Sequence, residues 1–228
     1  MIITISRQLG SGGGVVGQMV AERLGIPYVD REILRQAAEL AEVSEEVVWE
    51  NDERRPSVLE RMSAFIIGYQ APLAPEYAPK DVPSAYASPA SFRRLVEDVI
   101  RQVAESGSAV IVGRGSQVIL REHEAAMHVY VYAPLAERIR AVAERERVSR
   151  QVAAKLVAQS DRNRAGYLRS YYGVDWQDPA LYDLIINTGR IALAEAAELV
   201  ARAVAMRGPL PGERAPRYPQ STEDGSSR

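Results

Sequence analysis

Runs of apolar residues alternate with amphipathic stretches along most of this chain. Short apolar runs of this kind predict buried strands, and here they are Met1–Ser6, Ile26–Asp30, Ala109–Gly115, Met127–Pro134 and Tyr182–Thr188. The stretches between them place apolar residues at helical spacing. Strands that alternate with helices predict an α/β fold, with a mostly parallel five-stranded sheet between helices on both faces.

The same periodicity predicts where the helices lie. They are Val15–Leu24, Arg31–Ala41, Ala90–Glu105, a long charged stretch from Leu135 to about Arg169, and Ile191–Met206. Ser88 followed by Pro89 is typical of a helix start. Ligands of parallel sheets bind at the carboxyl ends of the strands. We therefore expect the functional site in the loops that follow Ser6, Asp30, Val112, Pro134 and Thr188.

Two segments break this pattern. Residues 44–90 are interrupted by prolines but keep apolar residues, so they are predicted to form a flap or an insertion that binds an acceptor. Residues 208–228 are rich in Pro, Gly and Ser without a periodic apolar face, which predicts a disordered tail. The chain from residue 1 to residue 207 is then one domain. The apolar run Phe65–Tyr69 could cover a core or form the contact of a homodimer.

Composition excludes several classes of function. The chain has no cysteine, which excludes disulfides and thiolate catalysis, and its net charge of −2 argues against a nucleic-acid partner. No apolar run approaches the roughly 20 residues of a membrane span, so a cytoplasmic protein is expected. Lys80 and Lys155 are the only lysines. Any cation that meets a phosphate is therefore expected to be an arginine.

A glycine cluster joins the first strand to the first helix. Its main-chain N–H groups can point at one anion, and the helix adds the positive end of its dipole. We predict a phosphate site formed by Gly10, Ser11, Gly12, Gly13, Gly14 and Val15.

Two motif templates compete for this loop. Gly12, Gly14 and Gly17 satisfy the dinucleotide pattern G-x-G-x-x-G, with Asp30 near the place of a ribose-binding acid. In the phosphate-loop pattern G-x-x-x-x-G-K-[ST], the lysine position is filled by glutamine. The first template fits the letters better, but it is the less specific of the two.

Later motifs favour the phosphate loop. The chain carries, in order, "ISRQLGSGG", "YVDREIL", "VIVGRG", "DRNRAGY", "DWQDP" and "YDLIINT". In order and spacing these motifs resemble the cytidylate-kinase-like family of P-loop nucleoside monophosphate kinases over most of residues 1–206. The resemblance implies a P-loop NTPase-type three-layer sandwich with a flap and a lid-like helical region at residues 135–175. It also implies ATP and Mg²⁺ as cofactors and a CMP- or dCMP-like acceptor, with small-molecule nucleotides as the partners.

The resemblance also implies roles for individual residues. Convergent arginines suit phosphoryl transfer, in which catalysis is mostly positioning and charge stabilisation. The catalytic candidates are Arg114, Arg145 and Arg162. The candidates for acceptor binding are Asp30, Arg31, Arg114, Asp161 and Arg164. No residue is assigned to a metal, and "DWQDP" is interpreted as structural, with Trp176 packed in the interior.

The chain departs from the family pattern at charged positions. Gly13 and Val15 stand where ordinary cytidylate kinases carry the loop lysine and a hydroxyl. Val112 and Gly115 replace acids that flank the glycine–arginine turn. Arg7 is a candidate to reach the phosphates instead. The sequence leaves open a phosphotransferase, a non-catalytic nucleotide-binding or sensor module on the same fold and, more remotely, a dinucleotide-dependent oxidoreductase.

Overall fold

The computed structural model describes residues 1–30 and 89–207. Within them all five predicted strands form one sheet with the order β2-β3-β1-β4-β5, in which every pairing is parallel. The strands are β1 (Ile2–Arg7), β2 (Tyr28–Val29), β3 (Ala109–Val112), β4 (Ala126–Tyr132) and β5 (Leu184–Asn187). The predicted α/β sandwich with a parallel sheet is confirmed.

Helices follow most strands, as the crossover between parallel neighbours requires. They are α1 (Gly13–Leu24), α2 (Pro89–Ser106), the short α3 (Ser116–Ile119), α4 (Leu135–Glu146), α5 (Arg150–Tyr172) and α6 (Leu193–Met206), with a 3₁₀ turn at Pro179–Leu181. The charged stretch predicted from Leu135 to about Arg169 is helical, but it is divided into α4 and α5. Arg147 ends α4 with a φ of 55°, and the Ser149 hydroxyl accepts a hydrogen bond from the Val152 N–H (3.3 Å) to begin α5.

Several predictions fall outside the described residues. They are the helix at Arg31–Ala41, the contact residue Arg31, Ser88, the tail at 208–228, and almost all of the segment 44–90, including Phe65–Tyr69. Among the described residues, no helix is both long and apolar enough to cross a bilayer.

The core lies on both faces of the sheet because strand side chains alternate. Ile3 and Ile5 of β1 pack with α1 and α6 on one face. Ile2 packs with α2 and with Ile111 of β3 on the other. Burial on both faces explains why the strands are continuous apolar runs. Their parallel pairing places the carboxyl ends along one edge, where the candidate residues gather.

His128 of β4 is buried against this core. Its Nδ1 lies 2.7 Å from the Thr4 hydroxyl. Burial lowers the pKa of His128, which the Asp183 carboxylate partly opposes. The folded protein therefore holds this imidazole neutral at a pH where the unfolded chain already takes up a proton. We expect the free energy of unfolding to fall as the pH drops below about 6.5.

His128→Gln tests this pH dependence. The amide can keep a hydrogen bond to Thr4 but cannot titrate, so the urea midpoint of the variant should fall less between about pH 7 and pH 5 than that of the wild type. Parallel curves for the two proteins over this range would contradict the assignment.

Candidate functional site

Buried polar groups fix the loop that follows β1. The Gln8 N–H donates to the Val131 carbonyl (3.1 Å), and the Gln8 side-chain oxygen accepts from the Ala133 N–H (3.2 Å). Ser11 is buried, with 2% of its surface exposed. Its hydroxyl lies 2.8 Å from the Gln8 carbonyl and 3.1 Å from the Val131 carbonyl. Thr188 donates to the Ser11 carbonyl (2.7 Å). The Ser11 hydroxyl is thus engaged with main-chain carbonyls, and it holds the loop against β4.

Two glycines of the loop are required by its close approach to helices. Gly10 and Gly12 have φ values of 84° and 76°, which side-chain-bearing residues rarely adopt. A Cβ at Gly10 would stand 2.5 Å from the Arg138 carbonyl oxygen of α4, and one at Gly12 would stand 2.6 Å from Leu193 of α6. The glycines therefore let the loop pack between α4 and α6.

The first turn of α1 presents main-chain donors without a side-chain cap. Gly12 is the N-cap residue, and the first turn contains no acidic residue. Val16 N–H donates to the Gly12 carbonyl (3.0 Å) as the first helical bond. The N–H groups of Gly13, Gly14 and Val15 precede that bond and have no intrahelical acceptor. This helix end therefore fits a phosphate group.

The loop after β3 has an unusual main chain. Gly113, Arg114 and Gly115 have φ values of 84°, 60° and 71°. A left-handed conformation costs a residue such as arginine roughly 1–2 kcal/mol. A Cβ at Gly115 would stand 3.1 Å from the Tyr172 ring of α5. The turn thus holds Arg114 in a strained conformation beneath α5, as is common at ligand sites.

Several predicted site residues meet at this edge of the sheet. Arg7 Nη2 lies 3.6 Å from Asp30 Oδ1, and the Tyr28 hydroxyl donates to Asp30 Oδ2 (3.4 Å). Burial, with the nearby charge of Arg7, lowers the pKa of Arg114 to about 10. The Asp30 carboxylate raises this pKa, and the charge of Arg164 lowers it more weakly. At neutral pH, Arg114 keeps its charge. The structure therefore places Arg114, Arg164, Asp30 and Arg7 near one another, and their roles in binding stay predictions.

Arg164 is held by an aromatic cluster. Its guanidinium carbon lies 5.0 Å from the centre of the Trp176 ring system, a cation–π distance. Trp176 is buried and packs edge-on against Tyr130 at 5.6 Å between ring centres. Asp178 caps the following 3₁₀ turn by accepting from the Ala180 N–H (2.9 Å). The expected packing of Trp176 in the interior is confirmed.

Asp161 has a partner that the sequence did not indicate. Arg138 Nη1 donates to both of its carboxylate oxygens, at 2.8 and 3.1 Å, and the two side chains are 6% (Arg138) and 26% (Asp161) exposed. The pair joins α4 to α5 beside the glycine loop. Charged residues at helical spacing usually face solvent, so no signal in the sequence indicated that Arg138 would be buried against Asp161.

The remaining two catalytic candidates lie on exposed helix surfaces. Arg145 bonds to Glu146 (2.6 Å) at the end of α4, and Arg162 bonds to Gln159 (2.6 Å) on α5. The structure does not join either of them to the group around Arg114, and their catalytic role stays a prediction.

A metal ion finds few ligands here. Mg²⁺ is usually held by one or two carboxylates together with phosphate oxygens and water. Within residues 1–30 and 89–207, no group of three His, Asp or Glu could hold a metal ion. Ser11 is engaged with carbonyls, Asp161 with Arg138, and Asp30 with Arg7 and Tyr28. The described side chains therefore do not fit a protein-built magnesium site, and we derive no step from one.

Comparison with known proteins agrees with this picture. The model of the cytidylate kinase-like family matches residues 2–190. A cytidylate kinase of Methanothrix thermoacetophila is 28% identical over 191 residues, which cover 83% of this chain and 90% of that protein. A cytidylate kinase of Pyrococcus horikoshii is 27% identical over 192 residues, covering 83% and 81%. The crystal structure of an uncharacterized protein from Eubacterium ventriosum shares the fold, with a TM-score of 0.65 and 23% identity over 91% of this chain and 99% of that one.

Proposed function

Since this chain belongs to the cytidylate kinase-like family, we propose that it transfers a phosphoryl group from ATP to a nucleoside monophosphate, with CMP and dCMP as the first acceptors to test. Two relatives named cytidylate kinase, which this chain matches over most of their length, support this choice of acceptor. The partners are then small-molecule nucleotides.

One observation carries the proposal. The uncapped first turn of α1 and the cations Arg7, Arg114 and Arg164 lie at the same edge of the sheet. Main-chain N–H groups suit the donor phosphates, and guanidinium groups suit phosphates bidentately. The site can therefore bring two polyanions together, which is the main task of such an enzyme.

The chemistry needs no proton acceptor. A phosphate oxygen of the acceptor forms the new bond to the terminal phosphorus of ATP. The bond from that phosphorus to its bridging oxygen breaks, and the electron pair leaves with ADP. Arg114 and Arg164 hold the acceptor phosphate and offset its charge, and the N–H groups of α1 hold the donor.

Steady-state ADP formation tests the proposal. ATP with Mg²⁺ is offered with CMP, dCMP, UMP, AMP and nucleosides, and ADP release should depend on a pyrimidine monophosphate. Calorimetry with ATP, with and without an acceptor, runs beside it. ADP formation that no member of the panel increases would contradict phosphoryl transfer to a nucleotide.

A second function is favoured by the missing charges. Gly13 and Val15 supply neither a lysine nor a hydroxyl to the loop, and no magnesium ligand set is found among the described residues. A non-catalytic nucleotide-binding module would bind ATP in calorimetry and leave ADP at background with every acceptor. The dinucleotide-dependent oxidoreductase receives no support from the family match, and it would bind NAD(H) in preference to ATP.

Arg114→Ala and Arg164→Ala should separate acceptor use from ATP binding. Loss of one charge-stabilising donor typically costs about 10²–10³-fold, so we expect kcat/KM for the acceptor to fall by this order while the Kd for ATP changes by less than about threefold. Because Arg164 also packs on Trp176, the melting temperature of each variant must be measured with its kinetics.

Arg140→Ala is the matched control, since Arg140 lies exposed on α4 and pairs with Glu137 on the same helix. It should leave both constants unchanged. Equal weakening of ATP binding and acceptor use in the Arg114 and Arg164 variants would contradict the assigned roles.

A further inference from the structure

We propose that Arg7 is the phosphate-binding cation of the glycine loop, entering from the end of β1 and filling the volume that a side chain at Gly13 would need. The inference rests on the proposed phosphoryl transfer and assigns a further catalytic residue to that site. It accounts for a loop that has the layout of a phosphate loop but no lysine.

Gly13 lies against the Arg7 side chain. A Cβ built on Gly13 would overlap the Cβ of Arg7 and stand 3.2 Å from its Cγ. Gly13 begins α1, and its φ is not among the positive values of the chain. Its main chain would therefore accept any side chain. Glycine is required at this position chiefly because the Arg7 Cβ already occupies the place, and the Val131 Cβ, 3.1 Å from the same point, narrows it further.

The Arg7 side chain extends across the turn that follows β3. A Cβ at Gly113 would overlap Arg7 Nη1 and stand 2.9 Å from Cζ, so the guanidinium crosses directly over the β3 turn. Its far end reaches toward Asp30. Arg7 thus runs from the first turn of α1 to the turn that carries Arg114. A group in that position can contact a phosphoryl group as it passes from donor to acceptor.

Arg7 is weakly bound to Asp30. The 3.6 Å between Arg7 and Asp30 is longer than a hydrogen bond, and the side chains are 24% and 28% exposed. Pairs this exposed contribute little stability. Asp30 also keeps a donor in the Tyr28 hydroxyl, which remains when Arg7 turns away. The guanidinium can therefore exchange Asp30 for a phosphate without leaving a carboxylate unpaired.

Positive charge is concentrated around Arg114. Burial raises the cost of the charge on Arg114 most, Arg7 raises it further and Arg164 adds more weakly, while Asp30 opposes them. Like charges held close together destabilise a protein unless an anion joins them. A polyanion between Arg7 and Arg114 would turn that repulsion into binding free energy.

The test exchanges the two side chains. Arg7→Gly removes both the cation and the Cβ that blocks residue 13, and Gly13→Lys adds an ammonium group to the loop. We expect Arg7→Gly to lower kcat/KM by about 10²–10³-fold. Gly13→Lys alone should lower the melting temperature because of the overlap with Arg7. The double variant Arg7→Gly/Gly13→Lys should recover at least about tenfold in kcat/KM over Arg7→Gly.

Three further variants serve as controls for this exchange. Arg7→Gln keeps the Cβ and Cγ that pack against Gly13 but is shorter and uncharged, and it replaces Arg7→Gly if that variant does not fold. Arg7→Lys keeps a charge and should fall between Arg7→Gln and the wild type. Arg140→Gln makes the same chemical change on an exposed surface and should match the wild type. Melting temperature and ATP calorimetry accompany each assay.

The outcomes separate this inference from the proposed function. If the wild type transfers phosphoryl groups and Arg7→Gln stays within about threefold of it, the inference is overturned and the function stands. A folded double variant no better than Arg7→Gly overturns it as well. If the wild type binds ATP without transfer, the proposed function fails. In that case, tenfold weaker ATP binding by Arg7→Gln supports the inference, and unchanged ATP binding overturns it. A wild type that neither binds nor transfers overturns both.

Discussion

Gly10→Ala is expected to lower the free energy of unfolding by about 3 kcal/mol, from left-handed strain and overpacking together. The new Cβ would stand 2.5 Å from the Arg138 carbonyl oxygen and 2.9 Å from the Arg138 Cα. Both atoms belong to the main chain of α4, which cannot move aside as the end of a flexible side chain can. The φ of 84° at Gly10 adds the cost of a left-handed alanine.

Relief of this overlap must move either the loop or α4. The loop is tied to β4 through Gln8 and to Thr188 through the Ser11 carbonyl. On α4, Arg138 is tied to Asp161. We therefore expect Gly10→Ala to weaken ATP binding at temperatures where the variant is still folded, since the first turn of α1 follows the loop.

Gly14→Ala is the matched control in the same glycine cluster. Its Cβ would meet only the Tyr28 hydroxyl, at 3.8 Å, and Gly14 lies within α1, where alanine is favoured over glycine by about 1 kcal/mol. Chemical denaturation of the two variants should give a lower midpoint for Gly10→Ala and an unchanged or higher one for Gly14→Ala. Equal midpoints would show that the approach of the loop to α4 is not tight.

The sheet was predictable because the physical signal for it is local. Each strand is a short apolar run, and burial of such runs on both faces leaves little choice of architecture. The division between α4 and α5 was missed because charged residues continue through Arg147 without a glycine or proline. A left-handed arginine followed by a serine cap ends one helix and begins the next.

The site was predictable only where a motif fixes the main chain. Arg114 stands between glycines at the end of a strand, and that placement anticipated its position. The ion pairs Arg7–Asp30 and Arg138–Asp161 each join residues that are 23 positions apart in the sequence and lie in different parts of the fold. No local pattern encodes which guanidinium meets which carboxylate. The overlap between Gly13 and Arg7 likewise requires coordinates, although the missing loop lysine was a signal to look for another cation.

Asp161→Ala is expected to lower the free energy of unfolding by about 3 kcal/mol, the lower end of the range for a broken buried ion pair. It would leave the Arg138 guanidinium, 6% exposed as a side chain, without its carboxylate. Arg138→Met should cost less, about 2 kcal/mol, because the remaining carboxylate is 26% exposed and methionine can fill the apolar space. Arg140→Met, which breaks an exposed pair on the same helix, should cost less than about 0.5 kcal/mol.

The double variant Arg138→Met/Asp161→Ala measures how strongly the two side chains stabilise each other. Since each single change breaks the same pair, the double variant should be more stable than the sum of the single effects by about 1–2 kcal/mol.

If Asp161 serves only to join α4 to α5, both single variants should change kcat/KM equally. If it also contacts the acceptor's sugar, as the family resemblance implies, Asp161→Ala should raise the acceptor KM beyond the effect of Arg138→Met. Steady-state kinetics of the three variants at a temperature well below their melting points decide between these roles, because stability is then no longer limiting.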